Sequence, residues 1–454
     1  MTTTLLFELR LMLHARLARA AILLLLVLSA LSVWSGLQAT EAQRAALARL
    51  ESSHRAEFAA LAAKHAQGAD AGTVAYGTPH LTTNPPPPLA FAAIGQRDLQ
   101  PVALRVRLLG LQSQLYESEA INPELAMAGR FDFAFLLVYL APLFVIALVH
   151  DLVSSEREAG RLRLLASLPG ASGPWRRRLG LRYALVWLAL LLPLAIGVAA
   201  SGAGAAAFGQ LALVASLYLL FWFGLAAWVA ARARSSAAGA AILLACLVGL
   251  GMVAPTLLDA AIARAVPVAK GVELALAQRQ EVHGGWDVPK EATFARFFRT
   301  HPEWQGTPPV TGRFHWKWYY AMHQAGDDAV APQVAHYRAS LQAREDWTAR
   351  AGLLLAPVNV QVLLHRLAGT DLRAQLDYQA RIAGYHTALR RFFYPYFFHE
   401  RPFGRADFAR LPAWDAAQPA GSLPGASLAA LTMLAISALA LGLRALGRAD
   451  RQVH

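Results

Sequence analysis

Long apolar stretches alternate with charged segments along this chain, and the length of the apolar stretches indicates the fold class. A helix needs roughly 20 apolar residues to cross the hydrocarbon core of a bilayer. Six uncharged stretches approach or exceed that length: Ala20–Leu37, Phe133–Val149, Tyr183–Ala205, Gly209–Ala231, Ser235–Leu258 and Ser422–Leu443. The pattern predicts a mostly α-helical, polytopic membrane protein with six transmembrane helices.

The segments between these stretches fall into short loops and two large regions. The predicted divisions are residues 1–19, 20–37, 38–130, 131–149, 150–182, 183–258 with three spans, 259–421, 422–443 and 444–454. Helical periodicity at Leu47, Leu50, Phe58 and Leu61 extends the first span, and the Pro85–Pro88 run predicts an extended polyproline II linker. Residues 259–421 show helical periodicity and little strand alternation, so we expect a mainly helical domain there.

The first apolar stretch could also be a cleavable signal peptide. Its apolar run is longer than the apolar region of a signal peptide, and Trp34-Ser35-Gly36 is a poor cleavage site. We therefore expect an uncleaved anchor.

The basic residues orient the predicted spans. Arginines concentrate before the first span, between the second and third, between the fourth and fifth, and after the sixth. They are Arg10, Arg16, Arg19, Arg157, Arg161, Arg163, Arg176, Arg177, Arg178, Arg182, Arg232, Arg234, Arg444, Arg448 and Arg451. By the positive-inside rule, both termini and these loops are cytoplasmic. The large regions then lie outside. Because arginine far outnumbers lysine, as in proteins of GC-rich bacterial genomes, we expect a bacterial inner membrane and periplasmic regions.

The composition agrees with a membrane protein, at 56% hydrophobic and 16% charged residues. The net charge of the chain is +13. Because the basic residues cluster in these loops, we interpret the charge as a topology signal and expect no nucleic-acid partner. The single cysteine, Cys246, lies inside an apolar stretch, which excludes an intrachain disulfide and a thiolate zinc site.

A short charged segment between the second and third spans stands out as a candidate site. Ser155 and Glu158 have the spacing of a capping box, and Glu156 and Glu158 suit the positive end of a helix. Leu162, Leu165 and Leu168 repeat along one face, and Pro169-Gly170 would end the helix. These residues predict a capped amphipathic helix over Ser155–Leu168. Such a helix either docks another protein or lies among lipid headgroups.

The same segment resembles the signature after the second span of ABC-2-type transporter permeases. That signature is roughly Glu-x-x-x-Gly-Thr-Leu-x-x-Leu-Leu, with a proline a few residues on. The matching positions here are Glu156, Gly160, Leu162, Leu165 and Pro169, and Arg161 stands where the family usually has Thr. The basic helix Leu5–Arg19 resembles the family's amphipathic connecting helix.

Landmarks in the second large region narrow the resemblance to a bacterial subfamily with two large periplasmic loops, often encoded as permease pairs. They are His301-Pro302-Glu303, Phe314–Tyr320, Ala356-Pro357, Leu367–Asp371 and Leu411-Pro412. The resemblance implies a coupling helix in residues 155–169 that seats in a dimer of ATPase subunits. It also implies a second permease as partner, identical or paralogous.

The chain itself lacks the motifs of an ATPase or a hydrolase, so we expect no enzyme activity and no cofactor in it. None of its lysines, Lys64, Lys270, Lys290 and Lys317, follows a glycine as a Walker A loop requires. ATP and Mg would be used by the partner ATPase. The predicted spans carry no Asp, Glu, Lys or Arg, which argues against an ion-coupled carrier.

Two features of the second large region allow alternative interpretations. Its histidines, at positions 283, 301, 315, 323, 336, 365, 386 and 399, lack metal-ligand spacing, so we expect no metal site. The aromatic run Phe392–Phe398, beside Arg390 and Arg391, is a docking surface, a domain core or a membrane-interface belt. The core or the belt is favoured over the docking surface.

The prediction is therefore the permease subunit of an ATP-driven exporter. The alternative is a membrane-anchored transmitter or scaffold that passes ATPase motion to periplasmic partners without transport. A six-span sensor is a third, weaker reading. The sequence does not specify a substrate.

Overall fold

The protein is dominated by helices that are long and apolar. The computed structural model describes residues 2–116, 130–161, 174–419 and 421–451, and it is 75% helical. Within these residues six helices are long and apolar enough to cross a membrane, which confirms the predicted fold at this level. They are span 1, Arg16–Lys64; span 2, Phe133–Glu158; span 3, Pro174–Ser201; span 4, Ala205–Arg232; span 5, Ser236–Ala265; and span 6, Gly425–Ala449.

Spans 2 and 5 each contain one π-helical turn. Span 2 comprises Phe133–Phe135, the π turn Leu136–Leu140, Ala141–Val149 and, after a short turn, Ser154–Glu158; span 5 comprises Ser236–Val248, the π turn Gly249–Val253 and Ala254–Ala265. Pro142 and Pro255 follow these turns. Proline has no N–H and its ring crowds the preceding turn, and the wider π geometry lets the helix continue through it.

Outside the spans the regular elements range from two-residue strands to a helix of 37 residues. The helices are Thr2–His14, Ala71–Gly77, Leu111–Tyr116, Gly271–Gly284, Lys290–Phe297, Trp316–Gly352, Ala356–Ala368, Leu372–Phe398 and Arg405–Phe408, with 3-10 turns at Gly95–Asp98 and Pro302–Trp304. The strands are β1 Ala69–Asp70, β2 His80–Thr83, β3 Ala103–Val106 and β4 Pro402–Phe403. They form two antiparallel pairs, β1 with β4 and β2 with β3.

Span 1 continues far beyond its apolar stretch, as the periodicity of Leu47 to Leu61 predicts. The helix has 49 residues, which corresponds to about 74 Å at a rise of 1.5 Å per residue. Its far end packs on the rest of the protein, because the ring of Phe58 meets that of Phe408 edge-on at 5.5 Å between centroids.

The two large regions predicted on either side of the central spans fold together into one large domain, residues 65–116 and 266–419. Strand β1 comes from the first region and its partner β4 from the second. Val74 and Leu108 of the first region share a core with Phe393 and Phe397 of the second. The two regions therefore lie at the same end of the spans.

The aromatic run Phe392–Phe398 forms the centre of that core. Phe393, Tyr394, Phe397 and Phe398 are each at most 3% exposed. Parallel-stacked pairs such as Tyr320 with Phe397, at 4.4 Å between centroids, surround them. The core interpretation of this run is confirmed.

The Ala356–Ala368 helix joins the large domain to the spans. Val360, Leu363 and Leu364 are fully buried in the same apolar core as the spans. Asn359 Nδ2 donates to the carbonyl oxygen of Ser427 in span 6 at 2.9 Å, and Gln361 Nε2 donates to the Tyr139 hydroxyl in span 2 at 2.9 Å. These two hydrogen bonds connect spans 2 and 6 directly to the domain. The Pro85–Pro88 run leads into Leu89–Ile94, a buried segment beside the same core.

Spans 4 and 6 cross at two glycines with almost no space between their backbones. A Cβ atom on Gly224 would lie 2.4 Å from the backbone of Ala438, and one on Gly442 would lie 2.5 Å from the Gly224 carbonyl oxygen. Small residues allow this close approach, which stabilises helix pairs in membranes through van der Waals contact.

Span 5 packs least against the rest of the chain. Only 6% of its most apolar window is buried, against 61% for span 4. Its exposed large apolar residues are Ile242, Leu244, Val248, Met252, Val253 and Leu257. An apolar surface of this length needs lipid or another apolar helix to cover it.

Candidate coupling surface at the basic end of the spans

The described parts of the arginine-rich loops gather at one end of the spans, which we name the basic end. Glu8 of the Thr2–His14 helix pairs with Arg178 at the start of span 3, at 3.0 Å. A Cβ atom on Gly447, near the end of span 6, would lie 3.1 Å from the guanidinium of Arg176. The N-terminal helix, span 3 and the end of span 6 therefore meet there.

At this end span 2 finishes in the short helix Ser154–Glu158. The predicted capping box from Ser155 to Glu158 is wrong. The helix begins one residue earlier, its N-cap is Val153, and no side chain caps it. The Ser155 hydroxyl instead donates to the carbonyl oxygen of Asp151 at 2.7 Å. The Glu158 carboxylate is engaged by a residue of another span.

The helix ends at Glu158, well before Leu168. Ala159 is its C-cap, and Gly160 follows with φ +69°, a left-handed conformation that glycine adopts without a steric penalty. Leu162, Leu165, Leu168 and Pro169 lie outside the described residues, so the apolar docking face stays a prediction. Of the predicted coupling residues, the structure describes Ser155, Glu156, Glu158, Gly160 and Arg161.

Glu156 ties the short helix to span 3 and to the N-terminal helix. Its carboxylate accepts a hydrogen bond from Arg161 Nε at 2.8 Å and from Arg178 Nη1 at 3.0 Å. Arg178 Nε donates in turn to Glu8. The Glu156 and Arg178 side chains are only 13% and 16% exposed, so water screens this pair less than a surface ion pair.

Glu158 ties the same helix to span 5. Its carboxylate accepts from the backbone N–H of Ser236 at 2.7 Å and from the Ser236 hydroxyl at 2.9 Å. The first N–H groups of a helix have no partner within the helix, and their positive end favours an anion. The carboxylate therefore caps span 5 from outside its own sequence.

Two further contacts hold the connection between spans 4 and 5 against this helix. Arg157 Nη1 donates to the carbonyl oxygen of Ala233 at 2.9 Å, and the hydroxyls of Ser154 and Ser236 are 2.9 Å apart. The contacts of this helix also involve Glu8, Arg178, Ala233 and Ser236, which the sequence analysis did not connect with the predicted coupling helix. The sequence feature that could have indicated these contacts is the set of unpaired N–H groups expected at the start of span 5.

The arrangement has the properties of a mechanical joint. Four residues of this short helix contact the start of span 3, the start of span 5 or the connection between spans 4 and 5: Ser154, Glu156, Arg157 and Glu158. Arg178 links them to the N-terminal helix, and span 2 continues from them through the bundle. A force on the segment that follows Gly160 would reach three spans through charge-assisted hydrogen bonds, which are stronger than neutral ones.

Among residues 2–116, 130–161, 174–419 and 421–451, no group of three or more His, Cys, Asp or Glu side chains is arranged to hold a metal ion. Two buried histidines of the large domain contact its own backbone. His323 Nδ1 accepts from the N–H of Gly110 at 3.0 Å, and His386 Nε2 lies 2.9 Å from the carbonyl oxygen of Arg107.

The comparison with protein families gives one match. A family described as a domain of unknown function (DUF3526) matches residues 272–417, which form most of the large domain and include the Ala356–Ala368 helix. No curated protein and no solved structure matches the chain.

Proposed function

We propose that this chain is the membrane-spanning permease subunit of an ABC exporter, driven by a separate ATPase dimer that docks at the basic end. The observation that carries the proposal is the short helix Ser154–Glu158. Its two carboxylates are bound to spans 3 and 5, so a push on the adjoining segment would move several spans together.

The proposal includes an orientation. The positive-inside rule puts the basic end in the cytoplasm, where ATP is available, and the large domain in the periplasm of a bacterial inner membrane. The gathering of the arginine-rich loops at one end supports this orientation.

A second permease, identical or paralogous, completes the proposed assembly. The unburied apolar face of span 5 supports it, because a second copy offers a matching apolar surface. Closure of the ATPase dimer on ATP and Mg would rock the two permeases against each other as rigid bodies.

The first prediction concerns the contacts of the Ser154–Glu158 helix and the docking face predicted after it. Glu158→Ala removes both hydrogen bonds to Ser236, and Leu165→Asp puts a charge on the predicted docking face. In the reconstituted complex we expect each variant to lower substrate-stimulated ATP hydrolysis about fivefold, within the usual range of coupling energies between sites. The measurement is phosphate release with and without substrate.

Glu51→Ala is the matched control, because Glu51 is an exposed residue of span 1 far along the helix from the basic end. Coupling in Glu158→Ala and Leu165→Asp equal to that of Glu51→Ala would refute the assigned role. Membrane content of each variant is measured alongside.

A second function, mechanical transmission without transport, is favoured by two observations. Span 1 continues as one unbroken helix into the large domain, and the Ala356–Ala368 helix is hydrogen-bonded to spans 2 and 6. Here the ATPase cycle would move the domain to act on periplasmic partners.

The reconstituted complex distinguishes the two functions. Export predicts ATP-dependent accumulation, inside inverted vesicles, of a molecule that co-purifies with the complex. Transmission predicts ATP-dependent distance changes between spin labels on the large domain and on span 4, with no accumulation of any co-purified molecule.

A further inference from the structure

A cavity of about 580 Å3 opens in the large domain, away from the basic end. It lies between the loop after β3, the Leu111–Tyr116 helix, the Gly271–Gly284 helix and the first turns of the Trp316–Gly352 helix. That volume falls in the range of sites for small organic ligands.

The ionisable residues that line this cavity are all basic: Arg105, Arg107, Arg279, His283 and His323. Its described lining includes no Asp or Glu. Arg105 pairs with Glu57, whereas the guanidinium of Arg107 has no partner within the part of the chain that the structure describes. An arginine in this setting favours a ligand with carboxylate or phosphate oxygens, which match its forked donors.

Two buried donors line the same cavity. The Nδ1 atom of His323 accepts from the Gly110 N–H, so its ring proton lies on Nε2. Burial lowers the pKa of His323 to about 3, which keeps the ring neutral at physiological pH. Neither His323 Nε2 nor Gln278 Nε2 has a hydrogen-bond partner among the described residues. Buried donors in proteins are normally paired, so these two await an acceptor.

The wall that carries these donors is held rigidly. Asp327 accepts from the N–H of Leu111 at 2.9 Å, and Arg390 donates to the carbonyl oxygen of Leu109 at 2.9 Å. Gly110 fits against Gln278 only because it has no side chain, since a Cβ atom there would lie 1.7 Å from Gln278 Nε2. A preformed wall lowers the entropy cost of binding.

We propose that this cavity binds a small organic oxyanion, a molecule that carries phosphate or carboxylate groups. Arg107 supplies the opposing charge, and His323 and Gln278 supply neutral donors. The binding site does not depend on the proposed transport function.

The test uses the full chain in nanodiscs of phosphatidylcholine. Inorganic phosphate, glycerol 3-phosphate and citrate are titrated calorimetrically at constant ionic strength. We expect saturable binding of at least one of the three, weakened by added salt. Arg107→Gln should weaken it about tenfold, as expected for loss of one charge-assisted contact. His283→Gln, a second exposed lining variant, should give a smaller loss.

Arg299→Gln is the matched control, because it removes an exposed arginine of the same domain outside the cavity. Saturable binding that Arg107→Gln weakens and Arg299→Gln does not supports the site. Competition by phosphatidylglycerol nanodiscs then identifies a lipid headgroup as the source, and its absence identifies a soluble molecule. Failure of all three probes to bind, or equal losses in Arg107→Gln and Arg299→Gln, overturns the proposal.

Discussion

Arg390 shows how much a single buried side chain organises in this protein. It is 5% exposed, and its guanidinium pairs with Asp327 at 2.8 Å. It also donates to Gln324 Oε1 at 2.7 Å and to the carbonyl oxygen of Leu109. Burial raises the pKa of Asp327, and the charge of Arg390 opposes that rise. The pair fixes two long helices around the loop that precedes the Leu111–Tyr116 helix.

Breaking this pair should destabilise the large domain strongly. Asp327→Ala leaves a buried arginine without its counter-charge, which costs about 3–5 kcal/mol in comparable cases. We expect a clear fall in the melting temperature of the full chain in detergent, measured by intrinsic tryptophan fluorescence.

Asp346→Ala provides the comparison, because Asp346 pairs with Arg373 on the surface, where ion pairs contribute about 0–1 kcal/mol. Equal melting temperatures for the two variants would contradict a structural role for the Asp327–Arg390 pair.

At the scale of single residues, the sequence predicted features that depend on composition better than it predicted which side chains bond to each other. The aromatic run Phe392–Phe398 could be assigned to a core because burying aromatic rings is strongly favourable wherever they lie. The capping box was wrong because the Ser155–Glu158 spacing reports only local geometry. Glu158 bonds to Ser236, 78 positions away, and no local pattern contains that information.

Among the helices, spans 4 and 6 approach each other closely where they cross. Gly224 and Gly442 place one backbone directly on the other. Because lipid chains are as apolar as side chains, contact area and close packing decide such pairings more than hydrophobicity does.

A larger residue at this crossing should separate the two spans. Gly224→Leu would force its side chain into the backbone of span 6. We therefore expect less folded protein in the size-exclusion profile or a lower melting temperature in a thermal scan. Overpacking of this kind typically costs about 1–3 kcal/mol.

Gly209→Leu in the same span is the control, because no atom lies within 4 Å of a Cβ atom built there. If Gly209→Leu and Gly224→Leu behaved alike, the crossing would not depend on its glycines.

The six spans were predictable, whereas the joining helix Ala356–Ala368 was not recognised. Its 13 residues are too few to cross a bilayer, so the length criterion assigned it to the domain. Its apolar face is visible in the sequence, but a short apolar face packs equally well into a soluble core. Only the tertiary contacts with Ser427 and Tyr139 reveal the difference.

In the whole molecule, the described parts of the arginine-rich loops lie at one end of the spans, and the large domain lies at the other end. Both large regions share one core, and one ion-pair network joins the N-terminal helix, the end of span 2 and the start of span 3. An even number of spans lies between the two large regions, as this division requires. The assignment of the basic end to the cytoplasm is based on the distribution of arginines.

Cysteine labelling in a Cys246→Ala background tests that orientation. Arg299→Cys, in the large domain, should react with a membrane-impermeant maleimide in cells whose outer membrane alone is permeabilised. Arg234→Cys, exposed between spans 4 and 5, should react only after the inner membrane is opened. The opposite reactivities would reverse the topology and remove the proposed ATPase site from the cytoplasm.

The length of span 1 has a geometric consequence. A bilayer core accounts for roughly 30 Å of the helix, which leaves about 40 Å of rod beyond it. A tilt of about 10° at the root would sweep the tip sideways by roughly 7 Å, by simple trigonometry on that length. The ring of Phe58, near the tip, packs edge-on against Phe408, so the distant core must follow that arc or lose the contact. Small tilts of span 1 within the bilayer would therefore produce large sideways displacements of its tip, far from the bilayer.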